Sequence, residues 1–335
     1  MLDPRLELAF GDGPPDGQLL ILGASGQTGL AGFDPARSLL VQGHFPDHRA
    51  LAAQGWQVLT DPPEGPLFDA ALVFLPRAKA EAHALIHAAS ARLRAGGALW
   101  IDGQKTDGVD SLLKDLRGRA AVAEQHSKAH GRIFRIDRPD GDWLPADWAA
   151  APHQAADGFV TLPGVFSADG VDPGSALLAA HLPPRLPSRM VDLGAGWGWL
   201  AAQILAREGV ETLHLVEADH AALDCARRNL NDARPQFHWA DARDFTLPEP
   251  VNGVVMNPPF HDGRAADPGL GTAFIATAAR LLTGAGRLWM VANRHLPYEA
   301  ALARHFARVD EIGGDARFKI IEATGARRAG KGGKK

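Results

Sequence analysis

Two stretches of this 335-residue chain share one spaced pattern of residues. Leu93-Arg-Ala-Gly-Gly97-Ala-Leu-Trp100-Ile and Leu282-Thr-Gly-Ala-Gly286-Arg-Leu-Trp289-Met match at leucine, glycine, leucine and tryptophan without a gap. Upstream of each, an apolar run meets a proline: Phe68-Asp-Ala-Ala-Leu-Val-Phe-Leu-Pro76 and Val251-Asn-Gly-Val-Val-Met-Asn-Pro-Pro259. Two blocks repeated in one order constrain the fold more than any single motif, because each copy is a unit that must bury its own apolar faces. Around them, short apolar strands end in glycine-rich turns and lead into alanine- and leucine-rich helical stretches, over about 17–137 and again over about 161–323. That alternation is the pattern of a parallel α/β sheet. The expected fold is two tandem Rossmann-like, doubly wound α/β domains. Asp137–Ala156, with Pro139, Gly141, Pro145 and Pro152, reads as a linker or irregular domain edge. The domains are therefore set at 1–150 and 151–325, followed by a basic flexible tail at 326–335.

Composition narrows the setting. Hydrophobic residues at 46 % and charged ones at 22 % leave ample apolar surface for two cores. The single cysteine, Cys225, excludes an intrachain disulfide and a cysteine-cluster metal site, and fits a reducing compartment, so the chain is expected in the cytoplasm. No apolar run approaches the roughly 18 residues of a membrane span, and MLDPRLELAF lacks a basic region before an apolar one. A net charge of −4 provides no global attraction for a polyanion, so any nucleic-acid contact has to be local. The end of the chain, with Arg327, Arg328, Lys331, Lys334 and Lys335, reads equally as a solubilising tail or a phosphate-binding arm. His83 and His87 stand four apart on an expected helix, Lys79–Leu93, but Ala84 occupies the place of the glutamate in a helical metal motif, and no metal is expected.

Met190-Val-Asp192-Leu-Gly194-Ala-Gly196-Trp-Gly198 is a short strand ending in an acid and alternating glycines, followed by a helical stretch, Trp199–Glu208. Glycines there allow a sharp backbone turn and close approach of a ligand. A phosphate-cradling loop reads G-x-G-x-x-G. Here the spacing is G-x-G-x-G, and Asp192 would repel phosphate. The acid suits the cationic amino-acid end of S-adenosylmethionine instead. The next strand, Thr212–Val216, runs into Glu217, where a doubly wound fold meets a ribose whose two hydroxyls a carboxylate can accept. Asp219 reads as the cap of a helix over His220–Leu230. After a third strand, Phe237–Trp239, Asp241 stands where an acid would take an adenine amino group. Taken alone, the glycine loop also reads as a structural tight turn.

Gly253–Met256 delivers Asn257-Pro258-Pro259-Phe260 to the carboxyl end of the sheet, where such folds bind ligands. An exocyclic base amine is a poor nucleophile because its lone pair is conjugated with the ring. If the Asn257 oxygen and the Pro258 carbonyl each accept one N–H, that lone pair can turn toward a methyl donor. The prolines hold both acceptors rigidly, and Phe260 can stack on the base. By itself, N-P-P-F reads equally as a rigid turn with a core phenylalanine.

Longer stretches carry a family resemblance. Leu162-Pro-Gly-Val-Phe-Ser167, Gly170-Val-Asp172-Pro-Gly174-Ser175, Asn257-Pro-Pro-Phe-His-Asp-Gly263, Val291-Ala-Asn293, Leu296-Pro-Tyr298 and Arg317-Phe-Lys319 together resemble the ribosomal RNA small-subunit guanine-N2 methyltransferase family. The resemblance implies S-adenosylmethionine as cofactor and transfer of its methyl to guanine N2 in small-subunit ribosomal RNA. It also implies a degenerate N-terminal methyltransferase-like domain that assists rRNA recognition, which would explain the repeat. The partner is then ribosomal RNA or the small subunit, with the chain expected as a monomer. The resemblance carries cofactor contacts to Asp192, Gly194, Gly196 and Glu217, pocket walls to Phe166 and Asp172, and amine positioning to Asn257 with Pro258 and Phe260. Trp197 and Trp199 depart from it by their bulk.

Three rival readings account for less of the sequence. Leu20-Ile-Leu-Gly23-Ala-Ser-Gly26-Gln-Thr-Gly29 fits the nucleotide loop of NADP-dependent reductases, but these need a tyrosine and a lysine four apart, and the sole tyrosine, Tyr298, is followed by Leu302. That first loop has Ile21 and Ser25 in place of Asp192 and Gly196, and no S-adenosylmethionine binding is expected there. Protein glutamine and DNA adenine methyltransferases share N-P-P-aromatic but not the longer wording. A catalytically inactive RNA-binding scaffold conflicts with intact Asp192, Glu217 and Asn257.

Overall fold

A computed structural model describes residues 2–65, 67–155, 158–259, 261–262, 265–266 and 268–327. They form two compact units, one running to His153 and including Leu162–Gly164, the other made of Gln154–Thr161 and Val165 onward. The first contains α1 (Pro4–Phe10), β1 (Leu19–Leu22), β2 (Ser38–Val41), α2 (Phe45–Ala53), β3 (Gln57–Leu59), β4 (Phe68–Phe74), α3 (Lys79–Arg92), β5 (Leu93–Gln104), α4 (Val109–Arg117), β6 (Val122–Lys128) and β7 (Gly131–Asp137). Two short strands, β8 (His153–Gln154) and β9 (Val160–Thr161), come next in the chain. The second unit continues through α5 (Pro173–His181), β10 (Arg189–Leu193), α6 (Trp199–Leu205), β11 (Thr212–Glu217), α7 (His220–Asn229), β12 (Pro235–Trp239) and β13 (Val251–Met256). It ends with β14 (His261–Asp262), β15 (Ala265–Ala266), α8 (Pro268–Leu281), β16 (Leu282–Asn293), α9 (Glu299–His305), β17 (Phe306–Gly314) and β18 (Phe318–Ala326).

Each unit is built on one seven-stranded sheet, ordered β3-β2-β1-β4-β5-β7-β6 and β12-β11-β10-β13-β16-β18-β17. The two orders are the same once the second is renumbered, and in both the last two strands form an antiparallel hairpin on an otherwise parallel sheet. The duplication extends to register. Pairing shifts between Phe68 and Ala70 and likewise between Val251 and Gly253, and Trp100 stands opposite Leu72 as Trp289 stands opposite Val255. The expected tandem doubly wound α/β fold is what the chain adopts.

Both sheets are buried on two faces, which is why their central strands are continuous apolar runs. In the second, Val191, Val254, Met256 and Met290 join one core while Met190, Val255 and Trp289 join the other. The first sheet sorts Leu20, Leu22 and Val73 from Leu19, Ile21 and Leu72 in the same way. Helix α4 shows how a helix covers such a face, burying Val109, Leu112, Leu113 and Leu116 at helical spacing.

One local expectation is decided between its alternatives and another is corrected. The segment after Asp137 is an irregular domain edge and not a free linker. Trp143 Nε1 donates to Ser90 Oγ at 2.8 Å, Arg138 Nε donates to the Ser90 carbonyl at 2.9 Å, and Trp148 is buried against α3, where it stacks on His83. Two indoles have too much apolar surface to leave in solvent. Ala326 and Arg327 do not belong to the expected tail, because Ala326 completes β18 and Arg327 N donates to the His305 carbonyl at 2.8 Å; Arg328, Lys331, Lys334 and Lys335 lie outside the described residues. The terminal hairpin turns at Asp315–Arg317, with Asp315 Oδ1 accepting the backbone N–H groups of Arg317 and Phe318 at 2.7 Å each.

The first unit also holds a buried ion pair without a counterpart in the second. Arg5 Nε and Nη2 bind Asp102 Oδ1 and Oδ2 at 2.5 and 2.7 Å, whereas Val291 fills the matching place on β16. Asp102→Ala is expected to destabilise this unit by about 3–5 kcal/mol, because it leaves a guanidinium buried without its counter-charge. Arg5→Met with Asp102→Leu should recover most of the loss, as read from urea midpoints.

Candidate functional site

The glycine loop follows β10, and Gly194, Gly196 and Gly198 all take positive φ, at 85°, 54° and 88°. Side chains rarely adopt that conformation, and at Gly198 a Cβ would also meet Ala226 at 3.0 Å. At Gly196 a Cβ would point into open space. The loop is tied to the next strand by Glu217, whose Oε2 accepts the Gly196 N–H at 2.8 Å while Oε1 accepts from Ala218 and Asp219 N at 2.7 and 2.9 Å. Asp219 caps α7 through Ala221 N, as expected.

Asp192 lies beneath this loop, fully buried, and among the described residues neither of its carboxylate oxygens has a hydrogen-bond partner. Burial, with the nearby Glu217 charge, pushes its pKa up to about 8. Sequence alone suggested an acid beside a ligand; the fold shows one held without a counter-charge.

An open cleft of about 440 Å³ lies against the loop, and Phe166, Asp172, Gly194, Gly196 and Asn257 are among the residues that line it. Asn257 directly follows β13, and Pro258 after it is buried. The Asn257 amide nitrogen donates to Asp172 Oδ2 at 2.8 Å and to Ser175 Oγ at 2.9 Å. Both donors being used, the carboxamide oxygen is left as an acceptor, and no described residue donates to it. Phe166 is 61 % exposed at the cleft, and its carbonyl accepts from Trp197 Nε1 at 3.0 Å. The bulk of Trp197 thus has a structural use, as a strut between the glycine loop and the Phe166 segment. Asn229 reinforces the same junction, with Nδ2 donating to the Trp197 and Val160 carbonyls at 2.8 and 2.9 Å.

Three of the expected site residues are not among those that line the cleft. Asp192 is fully buried without a partner among the described residues, and Glu217 accepts the backbone N–H groups of Gly196, Ala218 and Asp219. Asp241 does not line it either; its carboxylate is held by Arg243, with Nε at 2.9 Å from Oδ1 and Nη2 at 2.7 Å from Oδ2. Phe260 lies outside the described residues. Ser175 was not singled out from sequence. Its signal was its place three residues after a helix-capping aspartate, which puts it on the first turn of α5 facing the cap.

Strand register identifies what the first unit has at the same places. Leu22 pairs with Val41 as Leu193 pairs with Val216, so Gln42 is the counterpart of Glu217; Ile21 pairs with Leu72 as Asp192 pairs with Val255, so Ile21 matches Asp192 and Phe74 matches Asn257. Gln42 still reaches its own loop, donating to the Ala24 carbonyl at 2.7 Å. The first copy keeps the scaffold and lacks both acids and the amide. Among the described residues no group of three or more histidine, cysteine or acidic side chains could hold a metal, and no helix is long and apolar enough to cross a membrane.

Residues 157–322 match the family model of the methyltransferase small domain, and residues 16–138 match that of its N-terminal companion. The chain is similar to the ribosomal RNA small subunit methyltransferase C of Shewanella pealeana, 31 % identical over 310 residues, covering 90 % of this chain and 89 % of that one. The protein of the same name from Stutzerimonas stutzeri is 32 % identical over 271 residues, 78 % of this chain and 81 % of its own. Among solved structures, the T. thermophilus 16S rRNA N2 G1207 methyltransferase in complex with AdoMet and guanosine superimposes with a TM-score of 0.80 at 28 % identity, over 96 % of this chain and 92 % of that one.

Asp192 makes ligand-free stability depend on pH with a definite sign. Folded Asp192 keeps its proton up to about 8, whereas an unfolded aspartate loses it near 3.8, so between those values the folded chain binds the extra proton. Its contribution is fully present below the lower value and is lost as pH rises through the upper one. The expected outcome is a melting temperature that falls across this window, and that falls less steeply in Asp192→Asn, measured by calorimetry at several pH values.

Proposed function

The chain belongs to the ribosomal RNA small subunit methyltransferase C family, and from that premise we propose that it transfers the methyl group of S-adenosylmethionine to the exocyclic N2 amine of a guanine in small-subunit ribosomal RNA. The observation that carries the reading is the Asn257 carboxamide, set at the end of β13 in the cleft of the glycine loop, with both its donors occupied and its oxygen left to accept.

The residues fit the cofactor. A buried carboxylate with no counter-charge, Asp192, suits a cationic amino-acid group, and the open space beside Gly196 suits a ligand lying close to backbone. Gly194 and Gly196 would let it approach, Glu217 would accept from a ribose, and Phe166 and Asp172 would wall the pocket. Asp241 would reach the adenine amine only in competition with Arg243. When bound, S-adenosylmethionine supplies an electrophilic methyl on a positively charged sulfur. Asn257 Oδ1 and the Pro258 carbonyl each accept one N–H of the base amine, so that its lone pair leaves ring conjugation and faces the methyl. Phe260 stacks on the base in this reading. The proton released from the amine passes to water, and no strong base is needed.

The first unit, with Ile21, Gln42 and Phe74 at the matching places, serves rRNA recognition in this proposal and does no chemistry. The chain acts in the cytoplasm as a monomer; among the described residues only Leu8, Leu67, Phe166 and Ile312 are large apolar side chains that stand exposed, too few for an obligate interface.

The deciding experiment is mass spectrometry of digested small-subunit RNA from a strain lacking the gene. One N2-methylguanosine should be missing, restored by the wild-type gene and not by Asn257→Ala. An unchanged nucleoside profile, or loss only of a protein glutamine or DNA adenine mark, would overturn the reading. Asp192→Ala is expected to weaken S-adenosylmethionine binding by about tenfold or more in titration calorimetry, since it removes the charge partner of a cation.

A further inference from the structure

A carboxamide carries an acceptor at one end and two donors at the other, and the ends are nearly alike in shape. An asparagine that must offer its oxygen to an amine therefore needs something to decide which end faces the substrate. A flipped amide would aim N–H groups at an N–H group and leave both unsatisfied. We propose that Ser175, together with Asp172, is the positioning device for methyl transfer, locking the Asn257 carboxamide with its oxygen toward the base amine. This rests on the methyltransferase reading above.

The lock is built on the start of α5. Asp172 is the N-cap, and its Oδ2 accepts the backbone N–H of Ser175 at 2.7 Å as well as the Asn257 amide at 2.8 Å. Its negative charge thus sits at the positive end of a helix, where it is stabilised. Pro173 opens the helix with a fixed φ. Gly174 is buried, and a Cβ there would stand 3.0 Å from Asp172 Oδ2 and 3.3 Å from the Phe318 ring, so the first turn lies close against β18 with no room to drift. Ser175 Oγ then takes the second amide hydrogen at 2.9 Å. The flipped orientation would lose the hydrogen bond to Asp172 and set the carboxamide oxygen against its carboxylate, so Asp172 selects the orientation, and the Ser175 hydroxyl, which accepts in the selected one, holds the amide in place.

The arrangement does more than orient. An anion bonded to the Nδ2 end polarises the amide and concentrates negative charge on Oδ1. That is the atom facing the amine N–H, which becomes more acidic as the nitrogen takes up the methyl. Asp172, Ser175 and Asn257 all line the one cleft, so the oriented oxygen belongs to the site and not to the core. Ser175 also separates positioning from folding, because the cap uses its backbone N–H and only the positioning uses its hydroxyl.

The test uses the full chain, tritiated S-adenosylmethionine and small ribosomal subunits lacking the modification. Ser175→Ala should lower kcat by about tenfold, the loss expected for one hydrogen bond in the transition state, with cofactor Kd, subunit KM and melting temperature close to wild type. Ser175→Thr, which keeps the hydroxyl, should restore most of the turnover. Asp172→Asn still caps the helix but removes the charge and faces Asn257 with a second amide, and should lower kcat by about a hundredfold. Wild-type kcat in Ser175→Ala would overturn the proposal, as would a threonine variant no better than alanine or a loss in kcat matched by an equal loss of cofactor affinity. If the wild-type chain labels no RNA, the parent reading fails, and this inference with it.

Discussion

The hydrogen bond from the Gly196 N–H to Glu217 Oε2 joins the glycine loop to the neighbouring strand, and the cleft depends on that join. Three glycines at positive φ within one short turn have little intrinsic preference for a single shape, since glycine loses more conformational freedom on folding than other residues. Glu217 holds the middle of the loop from one side, and the Trp197 indole bonded to the Phe166 carbonyl holds it from the other. Between these clamps the backbone passes over the fully buried Asp192.

Asp192 is costly to the ligand-free fold. A buried carboxylate without a partner is driven toward its neutral form, and packing alone would favour an apolar residue there. The first unit shows that alternative, with Ile21 at the matching place and the same strand order around it. Comparison of the two copies therefore separates what the architecture needs from what the chemistry needs. Both retain the sheet, the register shift and the tryptophan on the fifth strand of the sheet. Only the second retains the acids and the amide.

The copies have also diverged toward different kinds of buried polarity. The first unit places a charge on β5 at Asp102 and neutralises it with Arg5, a self-contained pair. The second buries Lys319 on β18, where its ammonium bonds the Leu296 carbonyl at 2.9 Å and pairs with Glu299, pinning the connection after β16. The Arg317-Phe-Lys319 and Leu296-Pro-Tyr298 stretches are thereby joined, one contributing the ammonium and the other the carbonyl. Phe318 on the same strand packs against Gly174, so this terminal hairpin also backs the helix that carries Asp172 and Ser175.

Much of this is legible in the sequence. Strand–turn–helix units show through local signals, apolar runs punctuated by glycine and proline, and the repeated blocks made the tandem fold legible because duplicated sequence must bury its apolar faces in the same way twice. Asp192, Glu217 and Asn257 could be picked out because each stands directly after or at the end of a strand, a place that chain position alone defines. What only the tertiary structure decided are contacts between residues far apart in the chain. That Asn257 gives its amide hydrogens to Asp172 and Ser175, that Arg243 occupies Asp241, and that Trp143 and Trp148 close onto α3 depend on where separate elements come to rest. Periodicity and propensity act over a few neighbouring residues and say which elements form. Orientation of a side chain at a site is set by hydrogen-bond partners delivered from other elements, and those exist only once the sheet has assembled.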